Sequence, residues 1–454
     1  MKQSSTMTQY EKMTNTPIPK LILSLSVPSI ISMLITNIYN LVDTAFVGQL
    51  GTSASGAVGI VFGFMAIIQA FGYMFGQGAG SILSRALGNK ENEKASVYAS
   101  AGFFSSFIFG VIITVVGFLF LDDVVMLLGS TKTIAPFAKT YITYILIAAP
   151  FMSSSLSMDN LLRYEGKSML GMIGLMAGAV MNMIGDPILM FGFDMGIGGA
   201  GLSTALSQIV SWGILIIMFI RGKTEAKISF SYFKKFSPSV LWNIVTTGLS
   251  SLIRQLLNSV TTVMLNTCCA GYGDAAVAAM SIVSRIVFFS FSVVLGIGQG
   301  FQPVAAFNYG AQKYSRLRKS FRFTALISEG VIIIGCGLML IFAPQLIALF
   351  RNDADVIEIG TRALRMQAAA TVVLPMIIAT EMLMQSTGKR LGSTILASLR
   401  NGLIFIPVLL ILENTRGLTG IQEAQPLSML LTLPFAVACA IIFFKKLPKT
   451  DSED

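Results

Sequence analysis

Four oxygen-bearing side chains stand out because each lies inside a long apolar stretch of the sequence. They are Asp43, Asn182, Asp186 and Thr204. Carboxylate, amide and hydroxyl oxygens are the ligands that hard cations prefer. Two neighbouring carboxylates can also share one proton, because both do not readily stay ionised at close range. These residue types therefore indicate a site for Na⁺ or for a proton.

Other kinds of chemistry are excluded by the residues that the chain lacks. The sequence contains no histidine, which removes histidine nucleophile pairs and histidine metal ligands. Its four cysteines, Cys268, Cys269, Cys336 and Cys439, show no C-x-x-C spacing. We therefore predict no disulfide framework, no structural metal, no cofactor and no enzymatic activity.

The composition excludes a water-soluble protein. The chain has 454 residues, of which 54% are hydrophobic and only 12% are charged, and its mean hydropathy is +0.74. Soluble domains carry roughly 25% charged residues because their surfaces face water. A soluble enzyme, a nucleic-acid-binding domain and a disordered chain are thus ruled out, and the lipid bilayer becomes the expected surroundings.

Apolar stretches long enough to cross a membrane occur twelve times. A spanning helix needs roughly 20 apolar residues. The predicted spans are 21–47, 56–84, 96–121, 138–162, 168–191, 196–220, 241–268, 276–307, 322–344, 356–385, 391–412 and 418–444. The corresponding domains are a tail at 1–20, an N-lobe at 21–238, a C-lobe at 239–446 and a tail at 447–454. The first apolar run is too long for a signal peptide and has no cleavage site.

The basic residues predict the orientation of these spans. Most of the 32 Lys and Arg residues lie in the even-numbered loops and in the two termini. Cytoplasmic loops carry such an excess, so we expect a multi-pass protein of the cell membrane with both termini in the cytoplasm. The net charge of +10 is then a topology signal and not a nucleic-acid-binding patch.

An internal repeat relates the two halves of the chain at a shift of 222 residues. Gly76-Gln77-Gly78 falls on Gly298-Gln299-Gly300, and Gly166-Lys167 falls on Gly388-Lys389. Each half contains six spans, so both halves enter the membrane in the same orientation. The predicted fold is an all-α membrane protein of twelve transmembrane helices in two pseudo-symmetric six-helix bundles, as in transporters built from parallel repeats.

The topology places the four oxygen-bearing residues near one level of the first bundle. Asp43 and Asp186 lie about four residues from the outer ends of their spans, roughly 6 Å deep at about 1.5 Å per residue. Asn182 and Thr204 lie about eight residues in, roughly 12 Å by the same rise. The second half has no such cluster, because the equivalent positions hold Leu265, Ile404, Val408 and Pro426. An alternative is that Asn182 and Asp186 only stabilise a helix interface through their i,i+4 spacing.

Other charged residues also lie inside predicted spans. Asp159 and Arg163 have the i,i+4 spacing of a local ion pair. Arg254, Arg285 and Glu329 have no evident partner along the chain, so they either neutralise one another or face a cavity. Glu381 is the repeat equivalent of Asp159.

Several segments, taken together and in order, resemble the multidrug and toxic compound extrusion (MATE) transporters over essentially the whole chain. The similar segments are Asp43–Gly48, Ser84–Gly88, Arg163–Gly166, Asn182–Pro187 and Gly198–Thr204. The resemblance implies alternating access and export of amphipathic, often cationic compounds in exchange for inward Na⁺ or H⁺. Asp43, Asn182, Asp186 and Thr204 match the ion site of the DinF-like branch. NorM-like members have an acidic residue where this chain has Arg254-Gln255, so the chain resembles the DinF and MepA-like branch.

These observations predict a monomeric multidrug efflux transporter for drugs or toxic organic cations, with no nucleic-acid partner. Ion or proton binding at Asp43 and Asp186 is expected to repack the first span near Tyr39 and Asn40. Those two residues, with Arg254 and Arg285, are secondary candidates for lining the cavity. The alternative cargo is a lipid-linked oligosaccharide, because its pyrophosphate would suit two arginines.

Overall fold

The protein is all-helical in the computed structural model, which describes residues 7–451. Its helices, in chain order, are α1 (Gln9–Asn15), α2 (Ile18–Gly48), α3 (Thr52–Gly88), α4 (Asn92–Leu119), α5 (Leu121–Leu127), α6 (Ala135–Tyr164), α7 (Ser168–Pro187), α8 (Gly196–Ile220), α9 (Phe230–Phe233), α10 (Pro238–Ala270), α11 (Asp274–Gly310), α12 (Tyr314–Phe350), α13 (Ala354–Thr371), α14 (Leu374–Ser386), α15 (Arg390–Ser398), α16 (Phe405–Arg416) and α17 (Leu418–Lys446). Two π-helical turns, Ile188–Gly192 and Leu399–Leu403, follow α7 and α15.

Most of the predicted spans are recovered as helices that can cross a bilayer. Within residues 7–451, ten helices are long and apolar enough, counting α7 and the α15–α16 pair with their π-helical turns as single spans. An eleventh span arises if α13 and α14, which bend by 52° at a short break, are counted together. The chain is therefore a multi-pass membrane protein, while the side on which its termini lie stays a prediction.

The helix in the seventh predicted span differs from the others in composition. This helix, α10, has 33 residues, so at about 1.5 Å per residue it is longer than a hydrocarbon core of about 30 Å. It is not among the ten apolar helices, because asparagine, glutamine, serine and threonine recur along it together with Arg254. A polar spanning helix is stable only where its polar side faces protein or water.

The helix boundaries repeat at the same shift as the sequence. The starts of α3, α4, α7 and α8 return 222 residues later as the starts of α11, α12, α15 and α17. Gly51 and Gly273, the residues that precede α3 and α11, have φ angles of 107° and 94°. Side chains other than glycine rarely adopt such angles, which explains why this glycine occurs in both halves.

Two compact units divide the chain. Of the described residues, unit 1 contains 7–13 and 31–252, and unit 2 contains 14–30 and 253–451. Two of the unit boundaries therefore fall inside α2 and α10, so each of these helices contributes residues to both units. The lobe boundary at 238/239 stays a prediction.

Within unit 1, α6 is the central helix. In the most apolar 18-residue stretch of α6, 72% of the residues are buried. Small residues let α3 approach closely: a Cβ atom on Gly76 would lie 2.8 Å from the Cα atom of Ser157. Unit 1 also contains an apolar cluster that includes Val47, Tyr141 and Met190.

Candidate functional site

The two carboxylates that the sequence singled out meet inside unit 1. Asp43 lies five residues before the end of α2, and Asp186 is the second-last residue of α7. The two residues are 1% and 0% exposed, respectively, and their carboxyl groups lie close enough to interact electrostatically. Two acids this close in an apolar surrounding favour binding of a cation or a shared proton.

The amide of Asn182 connects this carboxylate pair to α8. Its Nδ2 atom donates to Asp186 Oδ1 at 3.0 Å and lies 3.2 Å from Thr204 Oγ1. Asn182 and Thr204 are buried, as are the two acids. The four residues from three distant parts of the sequence thus form one cluster, here called the acidic cluster (Asp43, Asn182, Asp186 and Thr204).

Close packing of α7 on α8 brings these residues together. A Cβ atom on Gly185 would lie 2.6 Å from Ser203 Oγ, so a larger residue at 185 would displace the Ser203 hydroxyl from its place beside Asn182. The π-helical turn Ile188–Gly192 follows directly after Pro187. Such turns are common at functional sites because they interrupt the regular hydrogen bonding of a helix.

Two further residues, Ser203 and Tyr141, border the acidic cluster and were not predicted from the sequence. Ser203 Oγ donates to the backbone oxygen of Asn182 at 3.3 Å. Tyr141 of α6 is fully buried, and its phenol lies beside Thr204 and interacts electrostatically with Asp43. Ser203 could have been found as the neighbour of Thr204, whereas Tyr141 gave no sequence signal because it is an uncharged aromatic residue in a largely apolar helix.

Three oxygen atoms of the cluster are enclosed and accept no hydrogen bond from residues 7–451. They are Asp43 Oδ1, Asn182 Oδ1 and Asp186 Oδ2. A buried acceptor without a donor costs about 1–3 kcal/mol, so each of these atoms favours a proton or a small cation as its partner. A helix interface alone would require donors for these atoms, and the described residues supply none.

The residues predicted to respond to ion binding lie next to the cluster. Tyr39 is partly buried on α2 and interacts electrostatically with Asp43, Asp186 and Tyr73. Asn40 is also partly buried, and its backbone oxygen accepts a hydrogen bond from Thr44 Oγ1 at 2.7 Å. Both residues therefore lie within one turn of Asp43 on the same helix.

The basic residues of unit 2 have a different arrangement. Arg254 Nη1 lies 2.6 Å from Glu381 Oε1, and Glu381 is buried. Arg285 is exposed and Glu329 is partly buried. Arg254 is thus paired with an acid 127 residues away, a partner that the sequence pattern did not predict.

The local ion pair that the sequence predicted in the first half is confirmed. Arg163 Nη2 lies 3.0 Å from Asp159 Oδ2. At the shift of 222 residues Asp159 corresponds to Glu381, but Arg163 corresponds to Gln385. Glu381 therefore lacks a basic neighbour one turn along its own helix, and α10 supplies one.

Comparison with known proteins gives a consistent result over nearly the whole chain. The family model MatE matches residues 28–188 and 249–411. A multidrug export protein MepA of Staphylococcus saprophyticus is 31% identical over 87% of each chain. A protein of the same name from Staphylococcus aureus (strain MSSA476) is 30% identical over 89% of each chain.

The fold is likewise similar to that of solved structures. One of them is the outward-facing conformation of a multidrug resistance MATE family transporter of the MOP superfamily, with a TM-score of 0.91 and 25% sequence identity. The match covers 98% of this chain and 100% of that chain.

Proposed function

The chain belongs to the MatE family of membrane transporters, and we propose that it is a secondary active multidrug exporter driven by an inward flow of H⁺ or Na⁺. The family consists of transporters, so the chain is not an enzyme. The proposed substrates are amphipathic organic compounds, often cationic, and the relatives named as multidrug export proteins support this class.

One observation carries the proposed coupling. Asp43 and Asp186 interact electrostatically, while an oxygen of each carboxylate and the Asn182 amide oxygen lack a donor among the described residues. Three such oxygens in an apolar core can hold one monovalent cation, or two of them can share one proton. The same atoms therefore serve either coupling ion.

The proposed cycle uses this cluster as the ion site of an alternating-access transporter. Binding of H⁺ or Na⁺ removes the repulsion between the two carboxylates and lets α2 repack near Tyr39 and Asn40. The repacked helix binds the exported compound less tightly, so the compound leaves. Release of the ion on the other side restores the repulsion and permits the next compound to bind. A one-for-one exchange of a monovalent cation for a cationic compound moves no net charge.

The test is dye export in inverted membrane vesicles under a pH gradient or a Na⁺ gradient, each imposed separately. The wild-type chain should respond to one of the two gradients. Asp43→Asn should reduce that response at least tenfold, because the amide carries no charge for the ion to neutralise. Asp123→Asn changes an exposed acid of α5 and should behave as wild type.

Two results contradict the proposal. Export of the dye at the wild-type rate by Asp43→Asn vesicles would show that the cluster has no role in coupling. If the wild-type protein is present in the membrane and its vesicles respond to neither gradient, export is not driven by either ion.

The alternative cargo, a lipid-linked oligosaccharide, receives less support. Recognition of its pyrophosphate would need arginines able to bind both phosphates. Arg254 already pairs with Glu381, and Arg285 is exposed on α11. Transport of such a lipid that is lost in Arg254→Ala, with dye export unchanged, would favour this alternative.

A further inference from the structure

Unit 2 contains a second basic residue beside the Arg254–Glu381 pair. Arg400 lies in the π-helical turn Leu399–Leu403 and interacts electrostatically with both Glu381 and Arg254. These three side chains carry two positive charges and one negative charge. A net positive charge within a spanning segment is costly unless an anion balances it.

Arg400 lies over an aromatic ring and keeps one donor without an acceptor in the described part of the chain. The guanidinium carbon lies 5.2 Å from the centre of the Phe291 ring, a cation–π distance. The Nε atom is enclosed and has no hydrogen-bond acceptor among residues 7–451. The residue as a whole is only partly buried, so part of its surface remains available for contact.

We propose that Arg400 forms a subsite for an anionic group, such as a carboxylate, on an aromatic amphipathic compound. The guanidinium provides planar, paired donors that match a carboxylate, and Arg254 adds a second positive charge nearby. Glu381 neutralises only one of the two arginines, which leaves one positive charge for the ligand.

The neighbouring rings identify the rest of the ligand. Phe288 and Phe291 form a tilted pair with ring centres 5.8 Å apart, and Phe288 is 44% exposed. Exposed aromatic faces beside a fixed cation suit a planar ring system that carries the acid. The subsite thus assigns Arg400 the recognition of exported compounds that carry an acid on a ring system, and it rests on the proposed function.

The experiment compares two dyes that differ by one charge. Tetramethylrhodamine carries a free carboxylate and is a zwitterion near neutral pH, whereas its methyl ester is a cation. Binding of each dye to the purified full-length chain in detergent is measured by fluorescence anisotropy. Arg400→Gln should weaken binding of the acid about tenfold, the effect of losing one charge-assisted pair. Binding of the ester should change less than twofold.

Two more variants keep the result interpretable. Arg416→Gln removes an exposed arginine of α16 that pairs with Glu423, and it should bind both dyes as wild type does. Arg400→Lys keeps the charge and loses the planar donors, so its ratio of acid to ester affinity should fall at least threefold. This variant carries the test if Arg400→Gln does not fold.

The proposal is overturned if the acid-to-ester affinity ratio stays unchanged in the Arg400 variants, or if the wild-type chain does not bind the acid. Equal weakening of both dyes means that Arg400 is only structural. No ion gradient enters this measurement, so a failure of ion-driven export in vesicles would not alter the binding result. The two proposals can therefore fail independently.

Discussion

The Asn182 amide donates a hydrogen bond to Asp186 Oδ1 at 3.0 Å, one turn away on the same helix. The amide also lies 3.2 Å from Thr204 Oγ1 on the neighbouring helix. Asn182 therefore fixes the direction of the Asp186 carboxylate while leaving its own oxygen for another partner. This single side chain links the helix interface to the ion chemistry of the acidic cluster.

Asn182→Leu should lower both stability and coupled export. The substitution keeps most of the side-chain volume but leaves Asp186 Oδ1 buried without a donor, at a cost of about 1–3 kcal/mol. We expect a lower midpoint of thermal unfolding in detergent and at least a tenfold loss of gradient-driven dye export. Asn414→Leu, on an exposed face of α16, is the matched control. A variant with normal export would show that Asp186 needs no amide partner.

Tyr141→Phe should alter ion affinity without unfolding the chain. The change removes only the hydroxyl, which lies beside Thr204 and near Asp43, and the buried ring keeps its packing. We expect the ion concentration that gives half-maximal export to shift at least threefold, while the midpoint of thermal unfolding changes little. An unchanged concentration dependence would place the hydroxyl outside the ion site.

A double-mutant cycle should measure strong coupling between Arg254 and Glu381. Removing one member of a buried ion pair is expected to cost about 3–5 kcal/mol because the other charge stays buried. Arg254→Met and Glu381→Leu should each lower unfolding stability in detergent, and the double variant should lose less than their sum. Additive losses would indicate that the two side chains act independently, despite the 2.6 Å that separates their nearest atoms.

Glu165 should make stability depend on pH. It lies between α6 and α7, outside the spanning segments, and burial raises the pKa of its carboxyl from 4.5 to about 7. Lys167 and the backbone N–H groups of Ala226 and Glu225 oppose this shift. Between pH 4.5 and about 7, Glu165 therefore holds a proton in the folded chain that it has lost in the unfolded chain. The stability from this proton is fully present below pH 4.5 and is lost as pH rises through about 7.

The measurement is the thermal unfolding midpoint at pH 5.5 and pH 8, as a difference between variants. Glu165→Gln mimics the protonated form, so its midpoint should fall less than that of the wild type on going to pH 8. Glu91→Gln, an exposed glutamate paired with Lys94, should keep the wild-type difference. An equal fall in Glu165→Gln and wild type would assign the pH dependence to other groups.

Much of the candidate site could be predicted from the sequence because charged and amide side chains are rare in membrane-spanning segments. Asp43, Asn182, Asp186 and Thr204 could be singled out since a carboxylate or amide in an apolar stretch requires a partner. The repeat then showed that the second half has no such cluster. Ser203 and Tyr141 carry no charge, so nothing in their spacing separated them from ordinary helix-packing residues.

The sequence by itself determined the fold class, the repeat and the membrane-embedded acids, because hydropathy, glycine turns and charge burial are local properties of the chain. Only the tertiary structure decided that Arg254 pairs with Glu381, that Arg400 adds a second positive charge beside them, and that Tyr141 borders the acidic cluster. Each of these contacts joins side chains from different helical segments of the chain. Their meeting depends on how helices pack and rotate against one another, and the period of a single helix does not encode that arrangement.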